Sequence, residues 1–267
     1  MAMIDDKWLD AALAVAREAA AAGAAAIARH TPDRVQVEYK PDETPVTVAD
    51  RESETAIRQV ILARYPDHAI YGEEQGRQGE EGDFLWLVDP LDGTKSFVRG
   101  TPFYSTQIAL MHRGELVLGV SAAPHYGETL WARRGGGAFM NGQPIHVAAT
   151  KREKQAVLSI GNVTTLAGNA VQWRELGKLI REVNRVRGYG DFCHYHLLAR
   201  GGVDIVIESD VNILDIAALA VIVREAGGRF TDLHGQPLGL ATRSVLATVP
   251  DLYEPIEWRF QSETTCC

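Results

Sequence analysis

The chain is poor in cysteine and in long hydrophobic runs. Three cysteines in 267 residues exclude a disulfide scaffold. Cys193 fits a buried thiol, whereas Cys266 and Cys267 end a polar tail that we expect to be frayed, and this sparse use fits a reducing compartment. The longest apolar run, counting glycine, is Ala19–Ala28, and a bilayer-spanning helix needs about 20 residues. Because the acidic start is also unlike a signal peptide, we expect a cytoplasmic protein with no membrane segment.

Positive charge is scarce as well. The chain has 27 Lys and Arg against 35 Asp and Glu, a net charge of −8. This balance argues against nucleic acid as a main partner, because binding a phosphate backbone needs a basic excess. The acid is unevenly placed, since residues 38–92 hold 14 of the 35 carboxylates. Such a concentration indicates either a solvated acidic face or a site for cations.

The hydrophobic pattern predicts helices and strands in both halves of the chain. Helical spacing predicts one helix over residues 5–29 and a second that begins after Asp50 and ends at Pro66. Further elements are predicted at 84–88, 105–111, 116–122, 157–160, 168–184, 203–207, 214–226, 228–231 and 245–249. Because a hairpin excludes a purely parallel sheet, we predict layered α and β structure with mixed sheets. A basic stretch at 148–155 divides one domain, 1–267, into an N-terminal α+β lobe (1–150) and a C-terminal α/β lobe (151–267).

The segment with the most candidate site residues is WLVDPLDGTKSF at residues 86–97. An apolar strand runs into Asp89, after which proline and glycine break the regular backbone. Asp89 and Asp92 are three apart, so a following turn would bring both carboxylates to one point beside the backbone N–H groups of Gly93 and Thr94. This pattern predicts either a divalent-cation site with an anion-binding turn or an Asx-type cap at a strand–helix junction.

Other candidate residues are ambiguous when taken singly. Asp50 and Asp215 are most simply interpreted as helix N-caps, and Glu73 as an exposed loop charge. His194 and His196 are weak evidence for zinc, because two histidines at this spacing lack a third ligand. We expect these two to be core or surface histidines.

Taken in order, however, the segments resemble the inositol monophosphatase family of magnesium-dependent, lithium-sensitive phosphatases. The matching pieces are TPVTVAD ending at Asp50, GEE at 72–74, DPLDGT at 89–94, GGGAFMNGQPI at 135–145, DIAA at 215–218 and EAGG at 225–228. They lie within about residues 8–250. The resemblance implies an αβαβα layered sandwich, a small-molecule phosphate ester as substrate, and a homodimer.

The resemblance also implies a role for each site residue. The ligands of up to three Mg²⁺ would come from Glu73, Asp89, the Leu91 carbonyl, Asp92 and Asp215. The catalytic set would be Asp50, Glu73 and Thr94, in which Asp50 and Thr94 orient the attacking water. The amides of Gly93 and Thr94 would bind the phosphate. One departure from the family pattern is Leu214, which stands where the family commonly has tryptophan.

The substrate is less well defined. The segments DGTKSFVRG at 92–100 and YGDFC at 189–193 are similar to the histidinol-phosphate phosphatase branch of the family. Histidinol phosphate carries an amine, with which Asp191 or Glu208 would pair. Asp191 also fits a loop cap, and Glu208 holds the position of the polyol-contacting glutamate of inositol enzymes. The open alternatives are an inositol-1-phosphate phosphatase, a nucleotide 3′-phosphatase, a fructose-1,6-bisphosphatase, or a non-enzymatic regulator with transcription or ribosomal partners.

Overall fold

The structure is a computed structural model that describes residues 4–31, 37–39, 45–80 and 82–261. It divides into two compact units. The first unit comprises Met1–Pro144 and Leu214–Ile222, and the second comprises Ile145–Ile213 and Val223–Cys267. The two lobes drawn from sequence at residue 150 stay a prediction, and the tail with Cys266 and Cys267 lies outside the described residues. Within the described residues, no helix has both the length and the apolar character that a membrane crossing requires.

The first unit is built on an eight-stranded mixed sheet with the order β10-β9-β8-β7-β6-β5-β3-β4. Its helices are α1 (Asp6–Ile27), α2 (Val48–Arg64) and α3 (Thr94–Val98). Its strands are β3 (Ala69–Gly72), β4 (Gly76–Gln78), β5 (Phe84–Asp92), β6 (Ser105–His112), β7 (Glu115–Ala123), β8 (Glu128–Arg133), β9 (Gly137–Met140) and β10 (Gln143–Ile145). The short strands β1 (Val37–Tyr39) and β2 (Pro45–Thr47) pair separately. Strands β3 and β5 are parallel, while β5 to β9 form antiparallel pairs, which confirms the predicted mixed sheet.

Helix α1 packs closely on α2 because it buries small side chains. Alanine favours helix, and Asp5 caps the start by accepting a hydrogen bond from Trp8 N at 2.8 Å. A Cβ at Gly23 would lie 2.8 Å from Ile57 Cδ1, so a larger residue there would force side chains of α2 to shift. Both helices contribute to one apolar core with side chains of β5 to β8. The predicted helix over 5–29 is confirmed.

Helix α2 begins earlier than the sequence pattern predicted. Its N-cap is Thr47, whose hydroxyl accepts from Ala49 N, and Asp50 lies in the first turn as the acidic partner of a capping box. Asp50 Oδ2 accepts a hydrogen bond from Thr47 N at 2.8 Å. The prediction that the helix begins after Asp50, with Asp50 as its N-cap, was therefore wrong. The reason is that a threonine three residues before an acid forms the reciprocal cap, which places the acid inside the helix.

A late segment of the chain belongs to the first unit. The helix α7 (Ile213–Glu225) contributes Leu214–Ile222 to that unit. A Cβ at Gly119, on β7, would lie 2.4 Å from the Ala218 carbonyl oxygen, so this close approach of helix to strand requires glycine. Asp215, at the start of α7, is thereby placed in the same unit as β5.

The second unit has a five-stranded sheet with the order β12-β11-β13-β15-β14. The strands are β11 (Val157–Ile160), β12 (Arg185–Arg187), β13 (Ile205–Ser209), β14 (Arg229–Thr231) and β15 (Ser244–Thr248), with helices α4 (Thr164–Gly168), α5 (Ala170–Glu182), α6 (Asp191–Ala199) and α8 (Pro250–Gln261). Strand β11 runs parallel to β12 and β13, whereas β15 is antiparallel to both neighbours. The helix predicted around 168–184 is confirmed as α5, which begins at Ala170 because the Asn169 side chain caps it by accepting from Val171 N and Gln172 N.

Candidate active site

The segment Asp89–Thr94 ends β5 in a distorted turn. The pairing of β5 with β6 is regular up to Asp89 and resumes at Asp92, with a bulge between them. Leu91 N donates to Asp89 Oδ1 at 3.0 Å, which is the Asx-type geometry that the sequence left open. Gly93 has φ +89°, and a Cβ there would lie 2.4 Å from the Phe103 carbonyl oxygen, so only glycine fits. Helix α3 then begins at Thr94.

The turn brings three carboxylates together. Asp89, Asp92 and Asp215 each offer an oxygen, and these oxygens lie within 4.8 Å of one another. Asp89 and Asp92 come from one bulged strand end, and Asp215 comes from the first turn of α7. Asp215 is therefore not the N-cap of its helix, because the helix already begins at Ile213. The Asx turn and the carboxylate cluster coexist, so the two interpretations of the sequence are not exclusive.

The electrostatics of the cluster fit a bound cation. Asp89 is 2% exposed, and burial raises its pKa well above the ordinary value. The charges of Glu73, Asp92 and Asp215 raise that pKa further, which shows that Glu73 also lies at the cluster. Buried like charges are costly unless a counter-charge relieves them. A set of hard carboxylate oxygens is suited to a hard divalent cation.

The charge on Asp89 makes the stability of the metal-free protein depend on pH. The pKa of Asp89 is higher in the folded protein than in the unfolded chain, so the folded protein binds more protons at this group. The free energy of unfolding therefore falls as the pH rises above about 4, the ordinary pKa of an aspartate. We expect Asp89→Asn without metal to melt above wild type at pH 7.5, with a smaller difference at pH 4.5. Thermal melts in chelator test this. A difference that shrinks with rising pH would contradict it.

Glu73 lies on a loop that α2 holds in place. Glu73 N donates to the Val88 carbonyl oxygen, next to Asp89 along β5, at 3.2 Å. The following amides bind Glu54, with Glu74 N 2.7 Å from Oε2 and Gln75 N 3.1 Å from Oε1. The glycine of the GEE motif is required because a Cβ at Gly72 would lie 2.2 Å from Glu54 Oε1.

Glu54 is one half of a buried ion pair. Its side chain is 0% exposed and pairs with Arg58, 5% exposed, at 2.7 Å. Arg58 also donates to the Gly76 carbonyl at 2.6 Å and to Gln78 Oε1 at 3.1 Å, so the pair anchors both sides of the Glu73 loop. The sequence analysis missed these two residues. The available signal, Glu and Arg four apart on a helix, is the same for exposed pairs that contribute little.

We expect Glu54→Gln to destabilise the protein by about 3–5 kcal/mol, because it leaves the Arg58 charge buried without a partner. A matched control lies two residues earlier, where Glu52 pairs with Arg29 at exposed side chains (42% and 63%). We expect Glu52→Gln to cost far less, because solvent screens an exposed ion pair. Denaturant unfolding of both variants measures the difference. Equal losses would show that the buried pair does not hold the loop.

Asp50 and Thr94 form the second part of the site. Thr94 Oγ1 lies 2.9 Å from Asp50 Oδ1 and 3.1 Å from the Leu91 carbonyl oxygen, so Asp50 is the nearer of two acceptors for its single proton. Asp50 is fully buried, and burial raises its pKa although the hydrogen bonds from Thr47 and Thr94 lower it. A buried carboxyl with a raised pKa, joined to a hydroxyl, is suited to accept a proton.

The two predicted substrate residues lie in the second unit. Glu208 is 2% exposed and accepts from Tyr195 Oη at 2.7 Å, pairs with His194 Nε2 at 3.1 Å and accepts from Asn162 N at 3.1 Å. Burial alone would raise its pKa, but His194 and the other donors bring it below the ordinary value. Asp191 begins α6 with φ +46°, and burial, then the charge of Glu208, raises its pKa.

The two histidines of this unit are core residues. His194 is completely buried against Glu208, and His196 is buried with its ring edge-to-face against Phe192. Both interactions are those of satisfied interior side chains, as the sequence analysis expected. Cys193, which the sequence suggested would be buried, is only partly buried.

Comparison with known proteins establishes the family. The sequence profile of the inositol monophosphatase family matches residues 8–262, so the chain belongs to this family. It is a phosphoric monoester hydrolase of a metal-dependent family, as its resemblance implied.

Several known proteins are similar to the chain over most of its length. A histidinol-phosphatase of Mycobacterium tuberculosis is 42% identical over 206 residues, covering 75% of this chain and 79% of the relative. A histidinol-phosphatase of Streptomyces coelicolor is 39% identical over 227 residues, covering 81% and 84%. The crystal structure of extragenic suppressor protein suhB from Bartonella henselae matches with a TM-score of 0.86 at 30% identity, covering 95% of this chain and 99% of that one. The predicted inositol monophosphatase-like fold is confirmed.

Proposed function

We propose that this chain is a Mg²⁺-dependent histidinol-phosphatase, which hydrolyses histidinol phosphate to histidinol and phosphate in histidine biosynthesis. The observation that carries the reaction is the convergence of Asp89, Asp92 and Asp215 in the same unit as the Thr94–Asp50 pair. The substrate assignment is supported by two histidinol-phosphatases at about 40% identity. It is also supported by the DGTKSFVRG and YGDFC segments.

The cation ligands would be the residues of the carboxylate cluster. Asp89, Asp92 and Asp215 offer carboxylate oxygens, and Glu73 and the Leu91 carbonyl complete the proposed set for up to three ions. When bound, Mg²⁺ neutralises phosphate charge and lowers the pKa of a water. The chain's contribution is to fix these oxygens on a bulged strand end and a helix start, which leaves little freedom to be lost on binding.

Thr94 and Asp50 would handle the proton of the attacking water. As Thr94 Oγ1 gives its proton to Asp50 Oδ1, it accepts one from the water, so that the hydroxyl is regenerated and Asp50 becomes protonated. The raised pKa of Asp50, caused by burial, favours this direction. The backbone N–H groups of Gly93 and Thr94 would donate to the phosphate oxygens. The positive φ of Gly93 sets the direction of the backbone at this turn.

Asp191 and Glu208 would recognise the substrate amine. The charge of Glu208 raises the pKa of Asp191, so the two carboxyls are close and the ionised form of Asp191 is destabilised. An ammonium group would relieve that repulsion and form charge-assisted hydrogen bonds. Glu208 is already engaged by three donors, which leaves Asp191 as the more available partner of the two.

A phosphate-release panel with Mg²⁺ tests the substrate. We expect kcat/KM for histidinol phosphate to exceed that for inositol 1-phosphate, adenosine 3′,5′-bisphosphate and fructose 1,6-bisphosphate by at least about tenfold, about 1.4 kcal/mol. Asp191→Asn should lower the value for histidinol phosphate and leave that for inositol 1-phosphate unchanged. Turnover of histidinol phosphate no faster than that of inositol 1-phosphate would favour the inositol alternative.

The remaining assignments are also proposals. The likeness to suhB supports a test of the regulatory alternative, in which a pull-down finds RNA polymerase or ribosomal RNA bound to the chain. We expect a cytoplasmic homodimer inhibited by lithium. Light scattering after gel filtration measures the assembly, and a mass of one chain, 29.2 kDa, would contradict the dimer.

A further inference from the structure

One buried polar atom of the first unit is unsatisfied. Gln107, on β6, is completely buried, and its Oε1 finds no hydrogen-bond partner among the described residues. An unpaired buried carbonyl oxygen costs about 1–3 kcal/mol. An apolar side chain of similar size would avoid that cost, so we expect an interaction of the Gln107 amide group that offsets it.

Gln107 is connected to the cation site through one residue. Its Nε2 donates to Ser105 Oγ at 2.8 Å, and Ser105 Oγ in turn donates to Asp92 Oδ2 at 3.1 Å. The register of β5 on β6 sets this chain, because Asp89 is opposite Gln107 and Asp92 is opposite Ser105. Ser105 is also completely buried.

The direction of the two hydrogen bonds follows from the donors available. A serine hydroxyl has one proton and two lone pairs, whereas the amide nitrogen of glutamine only donates. Because Gln107 fills a lone pair of Ser105, the Ser105 proton points away from Gln107 and towards Asp92. Asp92 Oδ2 therefore accepts a fixed hydrogen bond, and its other oxygen is oriented by the same contact.

We propose that Gln107 and Ser105 are positioning residues, which hold Asp92 in the orientation that binds the cation. The proposal rests on the proposed function, in which Asp92 is a cation ligand. The unsatisfied Oε1 is the cost of placing an amide donor at this point of the sheet. Groups that orient a metal ligand in this way typically contribute 10- to 100-fold to metal affinity.

The test is Mg²⁺ titration of metal-free protein by calorimetry, with melting temperature measured on the same samples. We expect Gln107→Leu to weaken Mg²⁺ binding about 10- to 100-fold, with a melting temperature equal to or above that of wild type, because the variant removes the orphaned acceptor. Gln107→Met, which has a similar length but no donor and no charge, should weaken binding as much. The matched control is Gln172→Leu, at a buried glutamine of the second unit. It should leave Mg²⁺ affinity unchanged.

A double-mutant cycle separates positioning from packing. Ser105→Ala alone should weaken Mg²⁺ binding, and adding Gln107→Leu should change it less than twofold further, since Gln107 acts through Ser105. The proposal would be overturned if the two single losses of Mg²⁺ affinity multiplied in the double variant. It would also be overturned if Gln107→Leu bound Mg²⁺ as tightly as wild type. Neither result would contradict the cation site itself. No Mg²⁺ binding by wild type would overturn the proposed function and this proposal together. If Gln107→Leu does not fold, Gln107→Met decides by the same criteria.

Discussion

Asp89→Asn is expected to lower Mg²⁺-dependent phosphate release by at least about 10³-fold, about 4 kcal/mol in the transition state. Asp89 is the most buried carboxyl of the cluster, and its charge is opposed by Glu73, Asp92 and Asp215. Asparagine keeps the oxygen that accepts from Leu91 N, so the turn is expected to remain. The measured loss then reports the charge rather than the fold.

Two comparisons control for this variant, an exposed aspartate just before the same strand and the melting temperature with and without Mg²⁺. Asp83 precedes β5 and pairs with Arg113 at an exposed site (51% and 43%), so Asp83→Asn should keep wild-type activity. With Mg²⁺, wild type should gain melting temperature and Asp89→Asn should not, which reverses the order expected in chelator. An Asp89→Asn enzyme that retained full turnover would contradict the site.

Thr94→Val is expected to lower kcat by about 10²–10⁴-fold, the usual contribution of a positioned proton acceptor. Valine has the shape of threonine but cannot bridge the water and Asp50, whose Oδ1 lies 2.9 Å from the hydroxyl. Thr94→Ser keeps the hydroxyl and should lose less than about tenfold. Measurement of kcat for histidinol phosphate at saturating Mg²⁺ compares the two.

Two further variants show whether Thr94 acts with Asp50. Thr101, in the same part of the chain, donates its hydroxyl to the Ser96 carbonyl at an exposed position, so Thr101→Val controls for the substitution itself and should be neutral. Because Thr94 passes its proton to Asp50, the double variant Asp50→Asn and Thr94→Val should be no slower than the worse single one. Independent, multiplying losses would mean that the two residues do not share a proton path.

The sequence identified the residues of the cluster better than their local geometry. The spacing of Asp89 and Asp92 indicated that their carboxylates converge, and the structure brings them together with Asp215. Asp50, however, was predicted to precede α2, whereas it lies inside the first turn. In sequence, an acidic N-cap and the acid of a capping box look the same, because each is an acid beside an apolar run. The difference depends on Thr47, three residues earlier, which the single-residue interpretation did not weigh.

What supports the cluster could not be predicted in the same way. Glu54 and Arg58 are indistinguishable in sequence from a surface pair, and only the packing of α2 on the Glu73 loop buries them. Ser105 and Gln107 belong to a strand whose hydrogen-bond partners are set by register with β5, which sequence patterns do not define. Burial likewise separates the acidic residues of segment 38–92 into two groups. Asp50 and Asp89 are buried, whereas Glu80 and Asp83 are exposed.

The central claim is that Asp89, Asp92 and Asp215 together bind the cation that phosphate-ester hydrolysis needs. A crystal structure with Mn²⁺ in place of Mg²⁺ tests it most directly, because Mn²⁺ is located by its anomalous scattering. We expect an anomalous peak about 2.0–2.3 Å from a carboxylate oxygen of each of the three residues. A protein that is active with Mn²⁺ in solution but shows no peak there, or binds Mn²⁺ only elsewhere, would contradict it.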